Sequence, residues 1–144
     1  MPKSALVTVT PYLSVKGAAE AIAFYAAALG AREMFRQMAD DGVRVLHAHL
    51  AIGAGQIMLC DPFPEFGAHA GPPLPGAPAS VAVALALGRA ADVDATFARA
   101  LTEGAEGEMA PADMFWGDRF AALRDPFGHR WMLSAPQAPM PPVA

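Results

Sequence analysis

Cysteine occurs once in the 144 residues, at Cys60. A lone thiol excludes an intrachain disulfide framework and a cysteine-based zinc site. Charge is scarce too. Asp, Glu, Lys and Arg make up 17% of the chain, with 14 acidic and 10 basic residues and a net charge of −4. That is too little charge for a coiled coil, and no Lys/Arg cluster offers itself to duplex nucleic acid. Long apolar runs are also missing. The charge-free stretch Ala21 to Ala31, between Glu20 and Arg32, is well short of the ~20 residues needed to cross a bilayer. The opening Met1-Pro2-Lys3-Ser4 does not read as an export signal. The expectation is a cytoplasmic protein with neither a membrane nor a nucleic-acid partner. What the chain does have is apolar: 54% of residues, much of it alanine. That excludes disorder, and the length suits one domain or two small modules sharing a core.

The chain reads as one module written twice. Lys16-Gly-Ala-Ala-Glu-Ala21 is answered by Gly88-Arg-Ala-Ala-Asp-Val93, and Phe24 by Phe97. Gly30-Ala31 returns as Gly104-Ala105, and Ile57-Met-Leu-Cys60 as Trp131-Met-Leu-Ser134. The offsets are 72, 73, 74 and 74, a slow drift that fits a duplication with single-residue insertions.

Each copy begins with alternation of period two, over Val7–Val15 and over Ser80–Leu87, which predicts a strand with one apolar face. Val7, Val9, Leu13 and Val15 share that face in the first copy. Helical spacing follows at about 18–29 and 91–103, with Gly30 and Gly104 placed for left-handed helix ends. Strands are predicted near 33–38, 43–52 and 56–60, and again near 106–110, 118–124 and 129–134. Each copy is therefore βαβββ, with module one at about 5–60 and module two at about 80–134. Between them, residues 61–79 hold six prolines and three glycines and read as a linker or functional loop, made sticky by Phe63, Phe66 and His69. The proline-rich tail from 135 to 144 is expected to fray or to lie on a neighbouring surface.

Four passages carry a resemblance. They are Pro11-Tyr-Leu-Ser-Val15 leading to Ala23-Phe-Tyr25 and Leu29-Gly-Ala31; His47-Ala-His-Leu50 with Ile57-Met-Leu59; Phe115-Trp-Gly-Asp-Arg-Phe120; and Asp125-Pro-Phe-Gly-His-Arg-Trp131. Together with the doubled βαβββ unit they resemble the vicinal-oxygen-chelate superfamily of glyoxalases, bleomycin-resistance proteins and dioxygenases, nearest its PhnB-like branch. The resemblance implies an α+β fold. Two tandem modules would form a curved eight-stranded sheet around a U-shaped cavity, with the helices outside. It also implies a homodimer and a small organic ligand. Strand faces opposite the large apolar residues would line the cavity: Thr8, Thr10, Tyr12, His47, His49, Gln56, Met58, Ser80, Ala82, Ala84 and Met132. Leu46, Ala48, Leu50 and Ile52 would oppose the two histidines and meet the helix.

The resemblance also assigns metal-ligand positions, on the first and last strands of each module. Here Thr10 and Ala82 (or Ser80) stand on the first strands, and Met58 and Met132 on the last. None is a good ligand for a divalent ion, so no cofactor is expected and a metal-free binding protein for an aromatic metabolite or antibiotic is the leading reading. Its ligand-binding residues would be Thr10, Tyr12, His47, His49, Met58, Trp116, Arg119, Phe120 and Met132. Trp116 and Phe120 would stack on a planar ligand, and Arg119 would meet an anionic group. Two alternatives stay open. One is a metalloenzyme whose divalent metal has moved to His47, His49 and Asp118. In that reading the two histidines share a strand face, although the PhnB-like pattern has Glu where His49 stands. The other is a noncatalytic dimer with a vestigial pocket. Catalytic residues are not assigned. Cys60 beside Asp61 reads as structural, because the neighbouring charge disfavours a thiolate, and His129 as a turn residue.

Overall fold

The computed structural model describes residue 5, residues 7–67 and residues 70–137. His69 and the tail beyond 137 lie outside them. The elements run β1 (Tyr12–Ser14), α1 (Ala18–Leu29), β2 (Arg32–Met38), β3 (Val45–Ile52) and β4 (Gly55–Cys60), then a short 3-10 turn (Pro64–Phe66). The second set is β5 (Ala82–Ala86), α2 (Ala90–Thr102), β6 (Glu106–Asp113), β7 (Asp118–Arg124) and β8 (Arg130–Pro136). The tandem βαβββ reading holds element by element.

The eight strands form two four-stranded sheets of identical topology, β1-β4-β3-β2 and β5-β8-β7-β6. In each, the first strand pairs parallel with the last and the other ladders are antiparallel. Among the described residues no ladder joins β1 to β5, so the sheets meet as neighbours and not as one continuous eight-stranded ladder.

Alanine favours the helices, since it loses no side-chain entropy on ordering. Seven of the twelve residues of α1 are buried, including Ile22, Phe24, Tyr25 and Leu29. Gly17 opens α1 without a side-chain cap of its own. Asp61, immediately after β4, supplies one by accepting from the Gly17 and Ala18 amides at 2.8 and 3.0 Å. Gly30 ends the helix at φ 71°, and Gly104 follows α2 at φ 108°, backbone angles that glycine adopts without strain. The two helices pack on each other, and α2 also covers β6, β7 and β8. Trp131, Tyr25, Leu50, Leu59, Leu123 and Leu133 are fully buried, each aliphatic side chain worth roughly 1.5–3 kcal/mol on transfer from water. Among the described residues no helix is long and apolar enough to cross a membrane.

Three expectations need correction. The first strand is shorter than its alternation predicts. Only Tyr12–Ser14 enters the ladder, and Val7 and Val9 are 84% and 82% exposed. Pro11 has no amide to donate, and residues 7–10 find no partner strand, so alternation there remains propensity without pairing. Likewise β5 starts at Ala82, and Val81 is exposed. In β3, Leu46 does not meet the helix. The register with β2 shifts between Gln37 and Met38, so Val45 becomes fully buried and Leu46 turns outward.

Candidate functional site

Residues paired across a ladder point to the same side of a sheet. The registers therefore align a row across sheet one: Tyr12 on β1, Met58 on β4, His49 on β3 and Phe35 on β2. Their neighbours Leu13, Leu59, Ala48 and Leu50 are buried toward the helices, so this row occupies the open face. The corresponding row of sheet two is Ala84, Met132, Ala122 and Met109. Equivalent positions thus carry aromatic and imidazole groups in one module and methyl and thioether groups in the other.

The open face of sheet one is cross-linked by polar side chains. The Tyr12 hydroxyl lies 2.7 Å from His47 Nδ1, and His49 Nε2 lies 2.8 Å from Gln56 Oε1. The His47 ring sits between Tyr12 and Phe35, with centroids 5.5 and 6.0 Å away. Burial first, and Cys60 next, push the Tyr12 phenol up to about 12, so it keeps its proton at physiological pH. Burial also raises the Cys60 thiol, against the lowering effect of its hydrogen bond with Tyr12 and with a further push from the charge of Asp61.

Beside Tyr12, at the seam between β1 and β5, lies a cavity of about 730 Å³. Pro11, Tyr12 and Leu13 form one wall, and residues 79–84 the other. Pro72, Pro73, Leu74, Ala77 and Pro78 of the linker complete it, with Gly128 and His129. A space of this size and lining is typical of small-molecule sites. Small side chains keep it open. Ala82 and Ala84 stand where Thr10 and Tyr12 stand in module one.

The remaining expected site residues are distributed as follows. Met58 and Met132 are half-buried on their rows. Thr10, half-buried, precedes the β1 ladder and is not part of the cavity wall. Phe120 shares a row with Ser134 and Ala86, on the open side of sheet two, and its ring meets Trp116 edge-on at 6.0 Å. Trp116 sits in the turn between β6 and β7, half exposed, outside the cavity wall. Arg119 points the other way. It reaches Asp94 on α2 through two bonds of 2.6 and 2.8 Å and Asp113 through one of 3.1 Å. Its cationic donors serve the helix side of the sheet, where alternation with buried Ala121 and Leu123 puts it.

The metal readings meet the same geometry. Asp118 lies on β7 of sheet two, whereas His47 and His49 lie on sheet one and are engaged with Tyr12 and Gln56. Among the described residues no group of three His, Cys, Asp or Glu is placed to hold a metal ion. The expected trio is not brought together. At the positions the resemblance assigns to ligands, a hydroxyl, two thioethers and a methyl group do not fit a divalent cation either.

Several contributors escaped sequence reading. Phe35 joins the face because of a register shift between Glu33 and Phe35. Asp125 has no assigned role in the sequence, yet its buried carboxylate accepts from the Phe127 and His129 amides, from the Tyr25 hydroxyl at 2.6 Å and from Trp131 Nε1 at 2.8 Å. His129 does pack its turn and also crosses between modules, with Nε2 2.9 Å from the Ser14 carbonyl. Asp125 and His129 together tie module two to α1 and β1.

Known proteins bear out this architecture. The profile of the Glyoxalase/Bleomycin resistance protein/Dioxygenase superfamily matches residues 6–133. An uncharacterised protein of Mycobacterium bovis is 40% identical over 130 residues, covering 88% of this chain and 82% of that protein. The crystal structure of protein PA1353 from Pseudomonas aeruginosa superposes with a TM-score of 0.71 at 26% identity, covering 92% of this chain and all of the other. A PhnB protein from Bacillus cereus, described as a putative 3-demethylubiquinone-9 3-methyltransferase, shares the fold with a TM-score of 0.69 at 18% identity over 90% of this chain and 99% of its own. The chain belongs to the glyoxalase/bleomycin resistance protein/dioxygenase superfamily.

Proposed function

We propose that this protein binds a small, largely apolar organic molecule at the seam between its modules, without a metal at the positions where the resemblance expects one. The observation that carries this is the cavity of about 730 Å³ walled by proline, alanine and Tyr12, beside a face whose ligand positions hold Thr10, Met58, Ala82 and Met132. Its role is sequestration, the reading the bleomycin-resistance relatives suggest. Tyr12, His47, His49, Met58, Phe120, Trp116 and Met132 are its ligand-contacting candidates, with Phe35 added by the register. Titration with Nile red, an uncharged solvatochromic dye, tests the proposal. Saturable binding that is lost in Ala84→Trp, where an indole fills the seam, supports it. Absence of binding, or equal binding by a folded Ala84→Trp variant, refutes it.

The proposal includes a homodimer. Exposed Val7, Val9 and Val81 adjoin the unpaired edges of β1 and β5, an apolar surface that a second copy would cover. A monomer mass in sedimentation equilibrium would remove this part of the proposal.

A further inference from the structure

We infer that the ligand of this site is uncharged and presents an O–H or N–H donor to the Tyr12 oxygen. The inference rests on the proposed function and narrows it to a chemical class.

Charge is the first argument. Among the described residues no Asp, Glu, Lys or Arg contributes to the cavity wall. Two cations adjoin the wall: Arg130 is paired in register with Ala82, and Arg124 with Arg130. Both are held by Glu108, at 2.8 Å for Arg130 and 3.5 Å for Arg124. Arg124 also donates to the Ala77 and Gly128 carbonyls, at 3.2 and 3.1 Å. Arg119 is committed to Asp94 and Asp113. A carboxylate or phosphonate entering the seam would lose water and gain no free cation, and an ionised group without a partner is costly to desolvate. A cationic ligand would likewise meet no carboxylate.

Hydrogen-bond direction is the second. The Tyr12 phenol keeps its proton, and a neutral imidazole uses one nitrogen as acceptor. His47 Nδ1 lies 2.7 Å from the Tyr12 oxygen, and we assign it the acceptor role, so that the Tyr12 O–H is donated to it. The phenol oxygen is left with lone pairs and no proton to offer, on a side chain that is half exposed and part of the cavity wall. His129, also in the wall, spends its Nε2–H on the Ser14 carbonyl at 2.9 Å. The wall therefore offers the Tyr12 oxygen as an acceptor, and the Ser80 hydroxyl as donor or acceptor, with no carboxylate, ammonium or guanidinium among its described residues. Its complement is a neutral ring system bearing a hydroxyl or N–H.

Three naphthalene probes separate these features at neutral pH: 2-naphthol, its methyl ether 2-methoxynaphthalene, and the anion 2-naphthoate. Dissociation constants are read by fluorescence. The expected order is naphthol tightest, the ether about three- to tenfold weaker, as loss of one net hydrogen bond predicts, and naphthoate weaker than the ether. In Tyr12→Phe, with its fold checked by thermal melting, naphthol and ether bind alike. Naphthoate binding as tightly as naphthol overturns the inference, and so does a naphthol preference that survives Tyr12→Phe. If Tyr12→Phe does not fold, the wild-type order alone decides. Nile red in the same preparation distinguishes the failures. If it binds and the naphthalene order is wrong, only the inference falls; if neither it nor the naphthalenes bind, the proposed function falls as well.

Discussion

The two sheets share strand order, ladder directions and helix placement, and they differ in what covers their open faces. Sheet one carries Tyr12, His49 and Phe35 around Met58, where sheet two carries Ala84, Ala122 and Met109 around Met132. Backbone duplication was therefore compatible with a division of labour. Along these paired rows one face carries aromatic and imidazole side chains and the other small or flexible ones, although Phe120 also lies on the open side of sheet two. A second contrast lies in the buried acids. Asp61 of module one accepts only backbone amides, from Gly17, Ala18 and Val45. Asp125 of module two accepts two amides and two side-chain donors, one of them from α1 in the other module. The first acid is a local cap. The second is a tie between halves.

That contrast predicts unequal losses. Asp125→Ala leaves the buried Tyr25 hydroxyl and Trp131 N–H without partners and is expected to destabilise by about 3–5 kcal/mol, measured by urea unfolding. Asp61→Ala exposes one helix start and is expected to cost about 2 kcal/mol. Equal losses would erase the distinction between cap and tie.

The tie also has a pH signature. Burial, and then the adjacent Asp125 carboxylate, push the Tyr25 phenol well above its usual value. Above about pH 10 the unfolded chain releases this proton while the folded chain retains it. The unfolded state then binds fewer protons, so the contribution is complete below about pH 10 and is lost as pH rises. Thermal midpoints should fall more steeply between about pH 9 and 11 in the wild type than in Tyr25→Phe. Parallel slopes would show that the phenol is not held neutral by the tie.

Much of this fold was legible because periodicity reports burial. Both helices, and the strands from β2 to β4 and from β6 to β8, were placed within a few residues, and the duplication gave the module pattern. Legibility ended where a partner strand decides the outcome. Val7 and Val9 alternate correctly yet lie outside the ladder, since Pro11 and an absent neighbour leave nothing to pair with. Leu46 leaves its expected side, and Phe35 joins the open face, through register shifts that depend on two strands at once. The Tyr25–Asp125 bond spans 100 positions in the chain and has no local trace. Tyr12, His47 and His49 were read from alternation, but their bonding, which sets the polarity of the site, required the packed sheet.

Binding separates the faces more gently than stability does. Ala84→Trp is expected to weaken Nile red binding by at least about tenfold, or 1.4 kcal/mol, with little loss of stability because Ala84 is exposed. If the module-two face provides the room, filling it at Ala84 should do more harm than Phe35→Ala, which trims the other face. A larger effect at Phe35 would reverse the roles assigned to the two sheets.

Arg119→Met should have the smallest effect, and it tests the contrast from the opposite side. The motif Trp116-Gly-Asp-Arg-Phe120 invites a role for Arg119 in holding an anion. In the fold, Arg119 and Phe120 leave opposite faces of β7, and the guanidinium is divided between Asp94 and Asp113. Those pairs are solvent-exposed, where ion pairs contribute little. Affinities for 2-naphthol and 2-naphthoate should stay within about twofold of wild type, near the limit of a well-run titration. A selective loss of naphthoate affinity would mean that Arg119 abandons its aspartates for the ligand, and sheet two would then supply recognition and not only space.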